Sequence, residues 1–363
     1  MLGPALIGAP CSPPAPEALG QVAAAARAHD MDLALHAALG PGPWWPPAVG
    51  RDLAARARAA AAASEWRDDA ARRAIDTLAA AGIDCLVLKG GALAHQLYPE
   101  PWTRVRHDTD LLVRPQDAQS ARRALAAAGF APAAGITGEL VSHQTLCLHR
   151  DRRGMRHAID LHWRISNRAR YAGVADLDGL LAAAVPVPAL GPHARAPGLA
   201  DALVLACVHR LGHHPGEPSL GWLLDVHLLA HRLGPLGIAS ALVTAAAADV
   251  EAPCLAGLEA ARRALGTPLE HLPDRPWPVA RATAALDRLD RGGSQIETVL
   301  DDLRALPGWR DRLRLLREHL APSAGYLRAS MPAHAHRSVL ALALRRVARG
   351  LGRAVSSHLH RGR

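Results

Sequence analysis

One ordered stretch constrains this chain more than any other. Ile83 to Leu88 is a short apolar run suited to a buried strand, and Gly90-Gly91 follows it directly. Ala92 to Tyr98 then has helical spacing, and Asp108 to Val113 forms a second strand-like run that ends at Pro115. Gln116 to Ala128 reads as a helix stopped by Gly129. Thr145 to Leu148 and Met155 to Ile165 follow as an antiparallel pair joined through Asp151-Arg152-Arg153-Gly154. A chain that alternates in this way is expected to fold as α/β (α+β), a small mixed sheet with helices packed on it.

The acids lie on the strands of that sheet. Side chains two apart on a strand share a face, so Asp108 and Asp110 point together while Thr109 points into the packing layer. Asp160 recurs inside Ile159-Asp160-Leu161-His162-Trp163, flanked by apolar residues, with His162 on its own face. Clustered carboxylates repel unless cations neutralise them, and hard divalent ions take oxygen ligands. The expectation is a site in which Asp108, Asp110 and Asp160 hold Mg2+ or Mn2+ and carry the catalysis, Asp160 also accepting a proton from the attacking group.

The Gly90-Gly91 pair lies between strand and helix, where backbone N–H groups approach phosphate oxygens at a helix's positive end. Of the 42 basic residues one is a lysine, Lys89, beside that pair. A compact, movable ammonium does at a phosphate what a guanidinium does not, which gives the exception a physical reason. Lys89, Gly90, Gly91 and Arg106 are therefore the expected contacts to a nucleoside triphosphate, with Arg104 and His107 close by. Alternative readings are that Lys89 caps the sheet and that the arginines belong to an arginine-rich surface.

On either side the pattern is helical. The first 67 residues are expected to form a proline-rich leader and a helical subdomain broken at Gly40-Pro41-Gly42-Pro43, with Asp68-Asp69 opening a new helix that Gly82 ends. Residues 68–190 form the sheet-bearing core, Pro186, Pro188, Pro192 and Pro197 a linker, and residues 198–363 an all-helical C-terminal domain. Helices are expected at Asp201 to Leu211, Leu220 to Leu233, Ile238 to Ala248, Leu255 to Leu265 and Arg310 to Leu320. No fixed repeat period is apparent. The last turns, with Arg345, Arg346, Arg349, Arg353, Arg361 and Arg363, are a basic face for RNA or anionic lipid, or a solvated helix end.

A net charge of +9 suits an anionic ligand. The five cysteines, Cys11, Cys85, Cys147, Cys207 and Cys254, are scattered and form no zinc or redox motif, which points to a reduced, cytoplasmic protein. The start of the chain does not look like a signal peptide, and no uninterrupted apolar stretch approaches the ~20 residues that span a bilayer. His209 and His213 share a helical face near Glu217, but no glutamate lies between them to make a zinc hydrolase. They read as buried structural histidines or as polar lining of the cleft, with Asp225 orienting His209; Trp163 and Trp222 read as core packing or as base-stacking surfaces.

This set of motifs resembles the DNA polymerase beta-like nucleotidyltransferase superfamily, whose pattern is glycine followed by glycine or serine, an acid-x-acid strand, and a third strand acid. More closely, Leu88 to Leu93, Tyr98-Pro99, Arg106 to Pro115 and Ile159 to Trp163 are similar to an uncharacterised bacterial nucleotidyltransferase family with a helical C-terminal half. That family also shows a histidine-bearing helix and a Trp-Leu-Leu-Asp segment, matched by His209 and Trp222 to Asp225, so the resemblance covers roughly residues 70–235. It implies a minimal nucleotidyltransferase fold, magnesium dependence, triphosphate at Gly90-Gly91, and metal on Asp108, Asp110 and Asp160. The acceptor is left open among a small molecule, peptide, protein and RNA. Two departures bear on the triphosphate contacts: a longer stretch between Gly91 and Asp108, and Gly91 where many members carry serine. Two other classes compete: an Asp-x-Asp glycosyltransferase using a sugar nucleotide, which needs a large sheet domain ahead of the motif, and a nucleotide-binding module without turnover.

Overall fold

A computed structural model describes residues 6–7, 15–40, 45–133, 140–214, 216, 220–269, 279–292, 295–320, 322–346 and 348. Cys11, Glu217, the Pro41-Gly42-Pro43 break and the final arginines from Arg349 onward lie outside them. Helices α1 (Leu19–Ala28) and α2 (Asp32–Leu39) precede α3 (Pro47–Ala80). Alanine dominates α3, Pro47 occupies its first turn, and no proline or β-branched run interrupts it, so it continues for 34 residues. The helix start expected at Asp68-Asp69 is absent. Asp68 lies mid-helix because its carboxylate is recruited by a partner from elsewhere, and the expected boundary between residues 67 and 68 falls inside α3.

The sheet contains β1 (Leu86–Leu88), β2 (Thr109–Leu112), β3 (Ala131–Pro132), β4 (Gln144–Arg150) and β5 (Arg156–His162), in the order β1-β2-β5-β4-β3. Among the described residues only the β2–β5 pair is parallel, with Asp110 in register with Asp160. Helix α4 (Lys89–Gln96) links β1 to β2, and α5 (Ala118–Ala127) links β2 to β3. The two faces of the sheet are distinct. Val87, Leu111, Cys147, Ile159 and Leu161 form one core with Ala71, Ala74, Ile75 and Leu78 of α3 and Ala121 and Leu125 of α5. Leu78 is fully buried there, and its truncation to alanine costs about 2–5 kcal/mol. On the other face Leu86, Leu88 and Leu112 pack with Leu177 and Leu180 of α6 (Leu177–Ala182), leaving Asp110, Asp160 and His162 on the same side.

The proline-rich stretch expected to be a linker is part of the core. β6 (Val185–Pro186) pairs with β7 (Arg195–Ala196), and Val187, Leu190, Ala194 and Ala196 are buried against α3 and the sheet. Helices α7 (Leu199–His213), α8 (Gly221–Ala247) and α9 (Glu251–Leu265) pack on one another around Leu203, Val226, Leu229, Leu242 and Leu258. Helices α10 (Val279–Arg291), α11 (Gln295–Ala305), α12 (Trp309–Leu320) and α13 (Ala324–Ser330) follow. Among the described residues α8 alone is long and apolar enough to cross a membrane, but Gly234 (φ 63°, ψ −178°) and Pro235 break it, and both halves contribute to the helical core. The break separates the two helices expected at Leu220 to Leu233 and Ile238 to Ala248. Cys85, Cys147, Cys207 and Cys254 are buried thiols.

Candidate active site

The parallel register of β2 and β5 brings Asp110 beside Asp160, and ligand atoms of Asp110, Asp160 and His162 lie within 4.8 Å of one another. Lys89 Nζ donates to Asp110 Oδ1 at 2.6 Å. His162 Nε2 lies 2.8 Å from the same oxygen and 3.4 Å from Asp160 Oδ2. Gln144 Nε2, from the strand on the other side of β5, donates to Asp160 Oδ2 at 2.5 Å. Asp160 Oδ1 is buried and has no hydrogen-bond partner. A carboxylate oxygen in that condition is costly unless a cation or a proton reaches it.

The electrostatics follow from this packing. Burial by itself raises the Asp110 carboxyl, but Lys89 and the hydrogen bond from His162 outweigh it and hold Asp110 well below the usual carboxylate range. Burial lowers the His162 imidazole, and its bonds to Asp110 and Asp160 reverse the sign, so it is held above its ordinary value. Asp108, exposed just before β2, is pushed upward by desolvation and then by the charge of Asp110. The three acids are therefore not equivalent. Asp110 and Asp160 form the buried pair, and Asp108 lines the cavity mouth with Lys89, Gly90, Gly91 and Arg104.

Lys89, rather than the glycine pair, makes the bend out of β1, with φ of 51° in the left-handed region that side chains rarely adopt. Gly90 and Gly91 are already inside the first turn of α4. A Cβ on Gly90 would meet Arg106 Cγ at 3.4 Å and the Arg104 guanidinium at 3.6 Å, which places this glycine on the cavity side. A Cβ on Gly91 would come within 3.0 Å of Val87 Cγ1, so this glycine is needed for close packing of α4 on the sheet. That accounts for the absence of a serine at this position.

Arg106, expected at the triphosphate, directs its guanidinium elsewhere. Its NH1 donates to Asp68 Oδ1 at 3.1 Å and its NH2 to Ser64 Oγ at 2.8 Å, although the residue still lines the cavity. Arg104 holds the outer wall instead: Nε and NH2 grip the two oxygens of Asp225 at 2.9 and 2.7 Å, and Tyr98 Oη donates to Asp225 Oδ1 at 2.7 Å. Asp225 therefore does not orient His209. His213 Nε2 lies 2.8 Å from Ser166 Oγ, and His209 rests against Trp222 with ring centroids 5.0 Å apart. Trp222 lines the cavity, whereas Trp163 is partly buried against the main core.

Gln144 and Ser64 were not singled out by the sequence, and Tyr98 entered only as part of the resemblance, with no role given to it. Each acts through a partner 16 or more positions away, and no local spacing announces it.

This small mixed sheet, with an acid pair on adjacent strands beside a strand-to-helix bend and helices before and after it, has the architecture of the nucleotidyltransferase class that the motif order resembles. A model of an uncharacterised nucleotidyltransferase family matches residues 16–266, and the chain belongs to that family. A search of curated proteins found no match.

Proposed function

We propose that the chain transfers a nucleoside monophosphate from a nucleoside triphosphate to an acceptor, with Mg2+ or Mn2+ held by Asp108, Asp110 and Asp160. The observation that carries this reading is the register pair Asp110–Asp160, one of whose buried oxygens, Asp160 Oδ1, lacks a partner. The donor set fits a hard divalent cation, because it offers carboxylate oxygens and Lys89 already places a positive charge 2.6 Å from Asp110. When bound, such ions neutralise charge on the transferred phosphoryl group and on departing pyrophosphate.

The chain's own groups have separable tasks. Lys89, at the bend, exchanges its ion pair with Asp110 for one with the triphosphate, a movement its flexible stem permits. Backbone N–H groups of the first turn of α4 meet phosphate oxygens. His162 and Gln144 fix the two carboxylates in place. Asp160 takes the proton of the acceptor hydroxyl or amine and later returns it to solvent. The acceptor atom bonds the α-phosphorus as the bond from that phosphorus to the pyrophosphate bridging oxygen breaks.

The test is incubation of the full chain with each α-labelled triphosphate and Mg2+, following pyrophosphate release and label transfer. Asp108→Ala and Asp110→Ala serve as controls. Asp160→Asn, which keeps a hydrogen-bonding group of the same size, is expected to lose about 100-fold or more in rate while its circular dichroism is unchanged. Sugar transfer from a sugar nucleotide would replace this reading with the glycosyltransferase one. Tight nucleotide binding without turnover across a broad acceptor panel would reduce the protein to a binding module.

A further inference from the structure

Helix α12 has two opposed faces, one turned into the molecule and one turned out. Leu315 and Glu318 are buried on the inner face. Glu318 Oε2 accepts the backbone N–H groups of Leu140 and Val141 at 2.9 and 3.1 Å, just ahead of β4, so α12 is pinned to the sheet that carries Asp160. On the outer face Trp309, Leu313, Leu316 and Leu320 recur at intervals of four, three and four residues, which lines them up along the helix. Trp309, Leu313 and Leu320 are each more than half exposed. Single exposed leucines are ordinary, whereas an aligned apolar stripe along a whole helix marks a surface for a partner.

Arginine borders the stripe. Arg310 and Arg317 flank it on one side and Arg312 on the other, all three exposed, while helical spacing puts Asp311 and Glu318 on the opposite half of the helix. The bias continues past α12: residues 319–363 contain eight arginines and no aspartate, glutamate or lysine, which accounts for nearly all of the net charge of +9. Residues 339–346 are helical, pack Leu342 and Ala343 against Leu327 and Met331, and leave Leu340 and Leu344 exposed. Charge then chooses among the occupants such a face could take. A second copy, docked stripe to stripe, sets arginine against arginine. RNA matches the arginines but leaves the aliphatic stripe in water. An anionic bilayer takes both, since leucine and tryptophan enter the headgroup boundary while the flanking guanidinium groups reach lipid phosphates.

We propose that α12 docks the chain on an anionic membrane surface, with Trp309, Leu313 and Leu320 inserted at the headgroup boundary and Arg310, Arg312 and Arg317 on the lipid phosphates. The helix is about 18 Å long and polar on its other face, so it lies on the bilayer and does not span it. Through Glu318 the sheet that bears Asp160 is held in a fixed orientation to that surface. The assignment is independent of the nucleotide-transfer reading.

The test is flotation of the full chain with vesicles of phosphatidylcholine alone and with about 30% phosphatidylglycerol added, at low and high salt. Binding is expected to the anionic vesicles only, and to weaken as salt rises. Leu313→Gln with Leu320→Gln changes exposed positions, so it should leave the Tm unchanged while weakening binding about tenfold or more. Leu313→Ala with Leu320→Ala, which keeps helix propensity, is the second variant and should bind less as well. Arg310→Gln with Arg317→Gln should weaken binding at low salt. Vesicles with brominated acyl chains should quench the fluorescence of wild type more than that of Trp309→Phe. Equal flotation of wild type and both leucine variants, or quenching unchanged in Trp309→Phe, overturns the proposal, because the attraction would then be charge alone or lie elsewhere. Wild type that does not float with anionic vesicles overturns it too. In that case a sedimentation-velocity dimer dispersed by the leucine variants assigns the face to a second copy, and retention of an RNA oligonucleotide that the arginine variant abolishes assigns it to nucleic acid.

Discussion

Lys89 combines a strained backbone, a half-buried ion pair and a place at the junction of two cavities. The reasons for the neighbouring glycines separate just as sharply. Gly91 faces Val87, which is fully buried in the main core and has no room to turn away from a new methyl group. Gly91→Ala is therefore expected to destabilise the chain. The overpacking cost of about 1–3 kcal/mol exceeds the gain of up to about 1 kcal/mol from helix propensity. A denaturant titration that finds the variant equal to or more stable than wild type rejects this account. The period of two put Asp160 and His162 on one face of their strand, as the structure has them, whereas Asp108, expected on the strand with Asp110, lies exposed just before β2 and outside the cluster of Asp110, Asp160 and His162. His162 was placed on the face of Asp160, but that it bonds Asp110, and that Gln144 bonds Asp160, depends on which residue of β5 lies opposite which residue of β2 and β4.

Elements are held to one another around the site by buried charge. The Arg104–Asp225 pair joins the segment after α4 to α8, and Arg106–Asp68 joins the approach to β2 to α3. Removing one member of a buried pair leaves the other without compensation, so Asp225→Ala is expected to cost about 3–5 kcal/mol. Arg104→Met with Asp225→Leu should cost less than the single change, and a thermal double-mutant cycle reads the difference directly. Equal Tm values for wild type and Asp225→Ala would show that the clamp contributes nothing. The same pairs bear on two expectations from the sequence. Asp68 resembles a helix cap only until Arg106 is seen beside it, and Arg106, which lines the cavity, has two of its guanidinium nitrogens on Asp68 and Ser64.

At the scale of the whole molecule, the fold buries histidines that must stay neutral. Burial, followed by Arg164, pushes His143 down to about 4 from an ordinary 6.5, and burial, followed by Lys89 and His214, pushes His213 down to about 3. In the unfolded chain both take up protons below about 6.5, whereas the native fold resists until its own lower values are reached. Their contribution is thus complete above pH 6.5 and is lost progressively as the pH falls toward 4 and then 3. Tm should drop between about pH 7.5 and pH 5, and His143→Gln should reduce the drop. A Tm that stays level over that range counts against both assignments.

By itself the sequence determined the alternation of elements, the two strand faces and the helical character of the C-terminal half, because helix and strand periods and turn chemistry are local. Tertiary structure alone decided that α3 runs unbroken past Asp68, that the proline-rich stretch closes the core, and that Arg106 turns inward while Arg104 clamps α8. Those outcomes depend on which distant groups meet and on the cost of burying a charge or an amide without its partner, and spacing along the chain carries no record of either.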